Sequence, residues 1–134
     1  MIANSVAIAG HVHIESMAII SGVLGIHQFV HIGTMAMVGG MSRINRDVPP
    51  YMMIEGNPAK VRSLNLTGLK RRGFKQAEIK ELKEAFRLLY LQHVPLKDAI
   101  VQLEQLSDSK HIQNLSKFIQ LSLSDKRRGL IAGK

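Results

Sequence analysis

The 134-residue sequence contains no cysteine, and aromatic residues make up only 4% of it. The lack of thiols excludes disulfides, cysteine nucleophiles and thiolate metal sites, and it fits a reducing compartment. No apolar run approaches the ~20 residues of a membrane span, and the N-terminus has neither the basic start nor the continuous apolar segment of a signal peptide. We therefore expect a cytoplasmic protein with no membrane span.

Basic residues are scarce in the first part of the chain and abundant in the second. Residues 1–57 hold two basic and three acidic side chains, whereas residues 58–134 hold sixteen basic and seven acidic ones, for net charges of −1 and +9. A basic half favours an anionic partner, such as phosphate groups, an acidic protein or nucleic acid, because opposite charges raise encounter rates. The alternative is a solvated helical surface with surplus lysine. The few aromatic residues and the lack of a recognisable nucleic-acid module argue against nucleic acid as a partner.

A β-branched residue recurs at every sixth position through the first part of the chain. These residues are Ile2, Ile8, Ile14, Ile20, Ile26, Ile32, Val38 and Ile44. A helix would scatter a six-residue step over three directions, whereas on strands the residues two apart, such as Val12 and Ile14, share one face. Turn-forming pairs such as Gly39-Gly40 follow the strand positions. We predict a short parallel β-helix of hexapeptide repeats over residues 1–57.

Three hexapeptides in each turn of this β-helix would stack residues that are 18 apart in sequence. Ile8, Ile26 and Ile44 would then form a core column. His13 and His31 would also stack, which suggests a metal site or a pH-sensitive pair, although no carboxylate shares their column, and this disfavours metal. The pattern begins at residue 2 with no capping segment, so we expect the chain to be the end of a longer solenoid.

The hexapeptide rhythm stops at two prolines, Pro49 and Pro50, which suit an exit from the coil. One last strand is predicted at residues 51–54, followed by a basic connector at 58–73 and an α-helical domain at 74–134. Within that domain, apolar residues spaced three and four apart predict amphipathic helices near 75–91, after Pro95, and near 110–124. The basic tail Lys126-Arg127-Arg128-Gly129 is expected to be mobile.

Several motifs together resemble the acyl-[acyl-carrier-protein]:UDP-N-acetylglucosamine O-acyltransferase family, which catalyses the first step of lipid A synthesis. Hexapeptides alone are shared by many transferases, but a His-Gln-Phe step joined to a Gly-Leu-Lys-Arg-Arg-Gly-Phe step is far more specific. The resemblance extends from about residue 3 to the tail at residues 128–131. The motifs are Gly10-His11, Ile26-His27-Gln28-Phe29, Met37-Val38-Gly39-Gly40, Asp47-Val48-Pro49-Pro50-Tyr51, Glu55-Gly56-Asn57 and Asn65-Leu66-Thr67-Gly68-Leu69-Lys70-Arg71-Arg72-Gly73-Phe74.

The resemblance implies a left-handed β-helix, assembled as a homotrimer with active sites in clefts between subunits. The implied reaction moves a 3-hydroxyacyl chain from acyl carrier protein to the 3-hydroxyl of UDP-N-acetylglucosamine. A neutral histidine removes the hydroxyl proton, and a backbone N–H stabilises the thioester oxyanion. No metal and no bound cofactor are implied.

Five positions match family residues at the acyl and sugar end of the site. Gly10 matches the glycine whose backbone amide is the catalytic oxyanion donor, and its missing side chain lets a thioester approach closely. His11 matches a histidine that lines the cleft. His27 and Gln28 match the pair that contacts the sugar. Gly40 matches the position that limits acyl chain length. The alternative for each histidine is a solvent-facing corner residue.

Asn65, Arg71 and Arg72 match the family's group near the nucleotide and its diphosphate, where a guanidinium fork suits phosphate oxygens. Two features depart from the family pattern. An acidic residue near the sugar is replaced by Thr67, and the family's general-base histidine lies on the coil that would precede Met1.

We therefore expect the chain to be the C-terminal part of the acyltransferase, with little or no activity by itself, because loss of a general base costs about 10² to 10⁴ in rate. Whether the 134-residue chain acts as an enzyme is left open. One alternative is a non-catalytic module that trimerises or binds acidic acyl carrier protein through its basic helices. A third interpretation, nucleic-acid binding by the basic half, is disfavoured on the grounds given above.

Overall fold

The computed structural model describes residues 11–21, 23–124 and 129–133. In this part of the chain, the strands are β1 His13–Ile14, β2 Ile19–Ile20, β3 Val23–Ile26, β4 His31–Ile32, β5 Met37–Gly39, β6 Ser42–Ile44, β7 Met52–Glu55 and β8 Lys60–Leu64. The helices are α1 Leu66–Arg71, α2 Gln76–Phe86, α3 Leu96–Leu106 and α4 Lys110–Ser122, and a π-helical turn, Arg87–Leu91, continues α2.

Strands β1 to β7 form stacked coils, which we call the β coil (residues 11–21 and 23–55). The chain passes through three sheets in turn, with strand orders β1-β4, β2-β5-β7-β8 and β3-β6. Parallel register pairs Ile14 with Ile32, Ile20 with Val38, and Ile26 with Ile44. Each pair is 18 residues apart, so the predicted stacking of three hexapeptides per turn is confirmed. His13 pairs with His31 in the same way.

The branched residues of the hexapeptide pattern form the core of the β coil. Ile20, Ile32, Val38 and Ile44 are fully buried, and Ile26 is 3% exposed. Burying each such side chain contributes roughly 1.5 to 3 kcal/mol before ordering entropy is counted. The first two members of the pattern lie outside the described residues.

The corners between strands carry non-glycine residues in the left-handed backbone region. This conformation is costly for residues with a Cβ atom, so the repeated corners are held by the ladders on both sides. Several corner side chains point outward, since Met17, Phe29 and Met41 are 41%, 56% and 64% exposed, whereas Tyr51 is 2% exposed. The corner residues with positive φ are His11, Met17, Phe29, Met35, Met41 and Tyr51.

The last coil is two residues shorter than the others and ends in an antiparallel strand. Strand β7 pairs with β5 through Met37 and Met53, which are 16 apart. Strand β8 then turns back along β7 and buries Val61 and Leu64. Residues 58–73 therefore contain a strand and the short helix α1 instead of an irregular connector. The sequence analysis missed both because neither follows the hexapeptide rhythm.

Helices α2, α3 and α4 lie close to the predicted positions. Helix α4 begins after Ser109, whose hydroxyl accepts a hydrogen bond from the Ile112 N–H at 3.4 Å, as expected of an N-cap residue. The ring of Phe118 on α4 packs against His31 of β4, with centroids 4.6 Å apart. The helical layer therefore contacts the outer face of the β1-β4 sheet at His31, while His13 on the same face is exposed. In the described ranges, no helix is long and apolar enough to cross a membrane.

The segment from residue 129 to 133, which we call the C-terminal strap, is bonded to the β coil and to β8. The Asp47 N–H donates to the Gly129 carbonyl at 2.8 Å, and the Val61 N–H donates to the Ala132 carbonyl at 3.0 Å. Ile131 is 2% exposed. Gly129, the last residue of the tail expected to be mobile, is thus held in place, whereas residues 126–128 lie outside the described ranges.

Candidate substrate-binding site

A cavity of about 740 Å³ lies over the outer face of β2, β5 and β7, with α1 as one wall. We call it the main cavity. Its floor follows from strand alternation, because Ile19, Met37 and Met53 are register partners whose side chains point away from the core. The cavity is lined by Met17, Ile19, Met35, Met37, Met53, Ser63, Leu64, Asn65, Leu66, Thr67, Gly68, Arg71 and Arg72.

The rim of the main cavity is basic where the floor is apolar. Arg71 and Arg72 lie at the C-terminal end of α1, and both are exposed. Arginine offers a planar fork of donors that matches phosphate and carboxylate oxygens. The arrangement therefore suits a ligand that combines an apolar part with an anionic group.

Asn65 holds α1 against the β coil. Its Oδ1 accepts a hydrogen bond from the Gly68 N–H at 3.1 Å, and its Nδ2 donates to the Met35 carbonyl at 3.0 Å. Its backbone N–H donates to the Tyr51 carbonyl at 2.8 Å. A Cβ atom at Gly68 would lie 2.3 Å from Nδ2, so glycine is needed for this close approach. Asn65 thus positions the rim arginines, and its contact with a nucleotide stays a prediction.

His11, His27 and Gln28 lie together at a different corner, between the β3-β6 and β1-β4 sheets. All three are exposed. The His11 ring stacks on Phe29 of the next coil, with centroids 5.1 Å apart and planes 10° from parallel. The His27 N–H donates to the Ile44 carbonyl at 2.8 Å, which fixes the turn that presents the pair.

Gly40 lies at the third corner, after β5, with a φ of +66°. A Cβ atom placed on it would lie 2.8 Å from Oε2 and 2.9 Å from Cβ of Glu55. Glu55 in turn lies 3.8 Å from Arg62, measured from Oε1 to Nε. A larger residue at position 40 would have to displace the Glu55 side chain.

The structure thus brings the predicted residues into two groups and leaves one glycine apart from both. Asn65, Arg71 and Arg72 share the main cavity, and His11, His27 and Gln28 share a corner. Gly10 lies outside the described residues. The methionine floor was not predicted, although the sequence carried a signal for it. Each floor residue directly precedes a core position, as Ile19 precedes Ile20, and must therefore face outward.

The stacked pair of His13 and His31 is confirmed, with ring centroids 4.5 Å apart. The expectation that no carboxylate shares this column is wrong, because Oε2 of Glu15 lies 2.5 Å from Nε2 of His31. The other oxygen, Oε1, accepts the Thr34 N–H at 3.0 Å, which orients the carboxylate. Phe118 covers the His31 ring. Within residues 11–21, 23–124 and 129–133, no group of three or more metal-ligating side chains is gathered.

Residues 47–131 match the family model described as UDP N-acetylglucosamine O-acyltransferase, domain 2. A relative from Gloeothece citriformis, an acyl-[acyl-carrier-protein]–UDP-N-acetylglucosamine O-acyltransferase, is 59% identical over 100% of this chain and 49% of its own length. A Synechocystis protein of the same name is 56% identical with the same coverage.

Solved structures give the same result. The UDP-N-acetylglucosamine acyltransferase of Arabidopsis superposes with a TM-score of 0.89 at 35% identity, covering 97% of this chain and 48% of that one. The UDP-N-acetylglucosamine O-acyltransferase of Moraxella catarrhalis gives a TM-score of 0.88 at 41% identity, covering 97% and 49%. The chain spans about half the length of the relatives it matches, and in them it corresponds to the C-terminal half. The chain belongs to the UDP-N-acetylglucosamine O-acyltransferase family.

Proposed function

We propose that this chain forms the C-terminal part of an enzyme of lipid A synthesis, which moves a 3-hydroxyacyl chain from acyl carrier protein to UDP-N-acetylglucosamine. The observation that carries the proposal is the main cavity, where an apolar floor meets the guanidinium groups of Arg71 and Arg72 in a chain of this family. An acyl chain and a nucleotide diphosphate are the apolar and anionic parts of the proposed substrates.

The placement of the site residues at separate corners supports a cleft shared between copies. In this proposal His27 and Gln28 contact the sugar, the backbone amide of Gly10 is the oxyanion donor, and a second copy completes the active site with its rim arginines. The assembly we propose is a homotrimer of left-handed β-helices. The left hand is what membership of the family implies, since the six-residue spacing defines a coil but not its hand.

Gly40 limits the acyl chain in this proposal because a side chain there would fill the space beside Glu55. The chain as given does not hold the family's base histidine, whose position precedes Met1. Two of its own histidines are engaged, since His31 pairs with Glu15, and Nε2 of His111 lies 2.9 Å from Oε2 of Glu78. We therefore expect the 134-residue polypeptide alone to turn over about 10² to 10⁴ times more slowly than a full-length relative.

The test compares the 134-residue chain with a fusion that carries the N-terminal half of the Gloeothece citriformis relative upstream. Both are assayed with UDP-N-acetylglucosamine and 3-hydroxyacyl carrier protein. The fusion should turn over at the rate of a full-length relative, and the chain alone about 10² to 10⁴ times more slowly. Turnover by the chain alone at the rate of the fusion would refute the proposed dependence on the missing base.

In the fusion, Arg71→Ala and Arg72→Ala should each raise KM for the UDP-sugar by about tenfold to a hundredfold, because each removes a charge-assisted bond to phosphate. Lys80→Ala, at an exposed position of α2 outside the main cavity, is the matched basic control and should leave KM unchanged. Unchanged KM in both arginine variants would show that the diphosphate does not bind at the rim of the main cavity.

A second candidate function is a non-catalytic module that binds acidic acyl carrier protein. The observation that favours it is the net charge of +9 on residues 58–134. Binding of carrier protein by the chain alone should then weaken steeply as salt rises, and duplex DNA should not compete. Competition by DNA at equal strength would instead indicate non-specific attraction to anions.

A further inference from the structure

The methionines of this chain are concentrated around one cavity. The sequence contains seven methionines and no cysteine. Four of the seven line the main cavity, namely Met17, Met35, Met37 and Met53. Met41 is 64% exposed, against 41% for Met17, but it does not line the cavity. Met52 is fully buried in the core. The chain therefore holds its own internal controls for any chemistry at the cavity methionines.

Met17 and Met35 occupy equivalent corners of successive coils, 18 residues apart, and both have positive φ. Both also line a second cavity of about 480 Å³, between that corner and α4, together with Lys110 and Lys117. These two side chains thus stand between the two cavities. Met17 is 41% exposed, so small solutes can reach this residue in the described chain.

We propose that Met17 and Met35 form a reversible oxidation site through which peroxide controls ligand binding in the main cavity. In the reaction, a lone pair on the thioether sulfur attacks one peroxide oxygen, the O–O bond breaks, and an S–O bond forms. Hydrogen peroxide is reduced to water, and the sulfur loses two electrons. The product, methionine sulfoxide, is returned to methionine by methionine sulfoxide reductases.

Oxidation changes the chemistry of the cavity because a sulfoxide is polar where a thioether is apolar. A sulfoxide oxygen that faces an apolar ligand must lose its water without gaining a hydrogen-bond partner. The corner also supports the rim, since the Met35 carbonyl accepts the Asn65 amide that fixes α1. Hydrogen peroxide is smaller than any ligand that fills the main cavity. An assembly whose cavity admits such a ligand therefore also admits peroxide to Met17 and Met35.

The experiment uses the 134-residue chain with ¹³C-labelled methionine methyl groups, which report on each methionine separately by NMR. The probe is 8-anilinonaphthalene-1-sulfonate, whose rings suit the methionine floor and whose sulfonate suits Arg71 and Arg72. The probe should shift the methyl signals of the cavity methionines and leave those of Met41 and Met52 in place. Hydrogen peroxide should oxidise Met41 and Met17 while the Met52 signal, which reports the intact core, is unchanged.

Oxidised protein should bind the probe about fivefold to tenfold more weakly, and methionine sulfoxide reductases A and B should restore the affinity. Probe affinity is compared before and after peroxide treatment for each variant. A Met17→Leu, Met35→Leu double variant keeps the apolar character of these two positions without a thioether, so its affinity should not fall after peroxide treatment. Met41→Leu is the matched control and should stay sensitive.

Three results would overturn the proposal. The first is unchanged probe binding after Met17 is oxidised, and the second is protection by Met41→Leu as strong as by the double variant. The third is a Met17 that reacts only when the Met52 signal shows loss of the fold. None of these readouts depends on acyl transfer, so the outcome is independent of the proposed function.

Discussion

The β coil and the helical layer of α2, α3 and α4 encode their structures in different ways. In strands β1 to β6 of the β coil, each strand lies beside the strand 18 residues away, so a six-residue pattern fixes both the buried face and the neighbour. In the helices, spacing by three and four fixes the buried face only. The contact between Phe118 of α4 and His31 of β4 could not be predicted from the periodicity of either segment. Repetition along a sequence thus determines tertiary contacts, whereas helical periodicity leaves them open.

The largest effect should come from breaking the link between the two regions. Oδ1 of Asp47 accepts the His31 N–H at 2.8 Å, and Oδ2 accepts the Ser122 hydroxyl at 2.7 Å, so one buried side chain joins the β coil to α4. Bonds to a charged group contribute about 1.5 to 3 kcal/mol each, so Asp47→Ala should lower the free energy of unfolding by about 4 kcal/mol. Urea titration measures this change.

Asp108→Ala is the matched control, because Asp108 is exposed in the loop before α4 and should change stability by less than about 0.5 kcal/mol. Equal stability of the two variants would mean that the Asp47 carboxylate does not hold the regions together.

A second pair of variants compares the two cores directly. Ile20 of β2 and Ile112 of α4 are 0% and 1% exposed. Ile20→Ala should cost about 3 kcal/mol and Ile112→Ala about 2 kcal/mol, since each leaves a cavity but alanine suits a helix better than a strand. Equal costs by urea titration would show that local propensity adds nothing to the difference between the regions.

The parts of the fold that the sequence did not reveal lie at the junction between these regions. The register of strands β1 to β6 and the positions of α2, α3 and α4 followed from periodicity. Strand β8, helix α1 and the C-terminal strap did not, because each is a single element with no repeat to define it. Their positions depend on contacts with distant residues, such as the Asp47 N–H bonded to Gly129 and the Val61 N–H bonded to Ala132. No local pattern encodes such contacts.

In the candidate site, too, local motifs predicted some features and missed those that depend on distant contacts. Motif resemblance predicted that Asn65, Arg71 and Arg72 act together, and they do line one cavity. It did not predict that both side-chain groups of Asn65 are used inside the chain, on Gly68 and on the Met35 carbonyl. That role requires a corner thirty residues away in sequence, which only the folded chain brings near.

The two tyrosines of the chain offer a third test, with smaller effects. Burial raises the pKa of Tyr51 and of Tyr90 above the ordinary value of 10.0. The unfolded chain therefore loses these protons first as the pH rises past 10, so stability is complete below that pH and falls above it. Tyr90→Phe should flatten this decline in melting experiments between pH 9 and pH 11.

At neutral pH, Tyr90→Phe should also cost about 1 kcal/mol, because the Tyr90 hydroxyl donates to the Ile131 carbonyl at 3.2 Å and secures the C-terminal strap. If stability still falls steeply above pH 10 in a Tyr51→Phe, Tyr90→Phe double variant, groups other than these tyrosines cause the fall.

The smallest effect should come from an ion pair on the outside of the helical layer. Arg87 bonds to Glu84 with Nε 3.0 Å from Oε1, and the hydrogen bond from Arg87 lowers the pKa of Glu84. Both groups face water, where ordering two long side chains offsets most of the attraction and salt screens the rest. Glu84→Gln should therefore leave the melting temperature unchanged within error at low and at high salt. A salt-dependent loss comparable to that of Asp47→Ala would mean that surface charge stabilises the helical layer as strongly as buried contacts do, and the contrast between the two regions would then rest on electrostatics as well as on repetition.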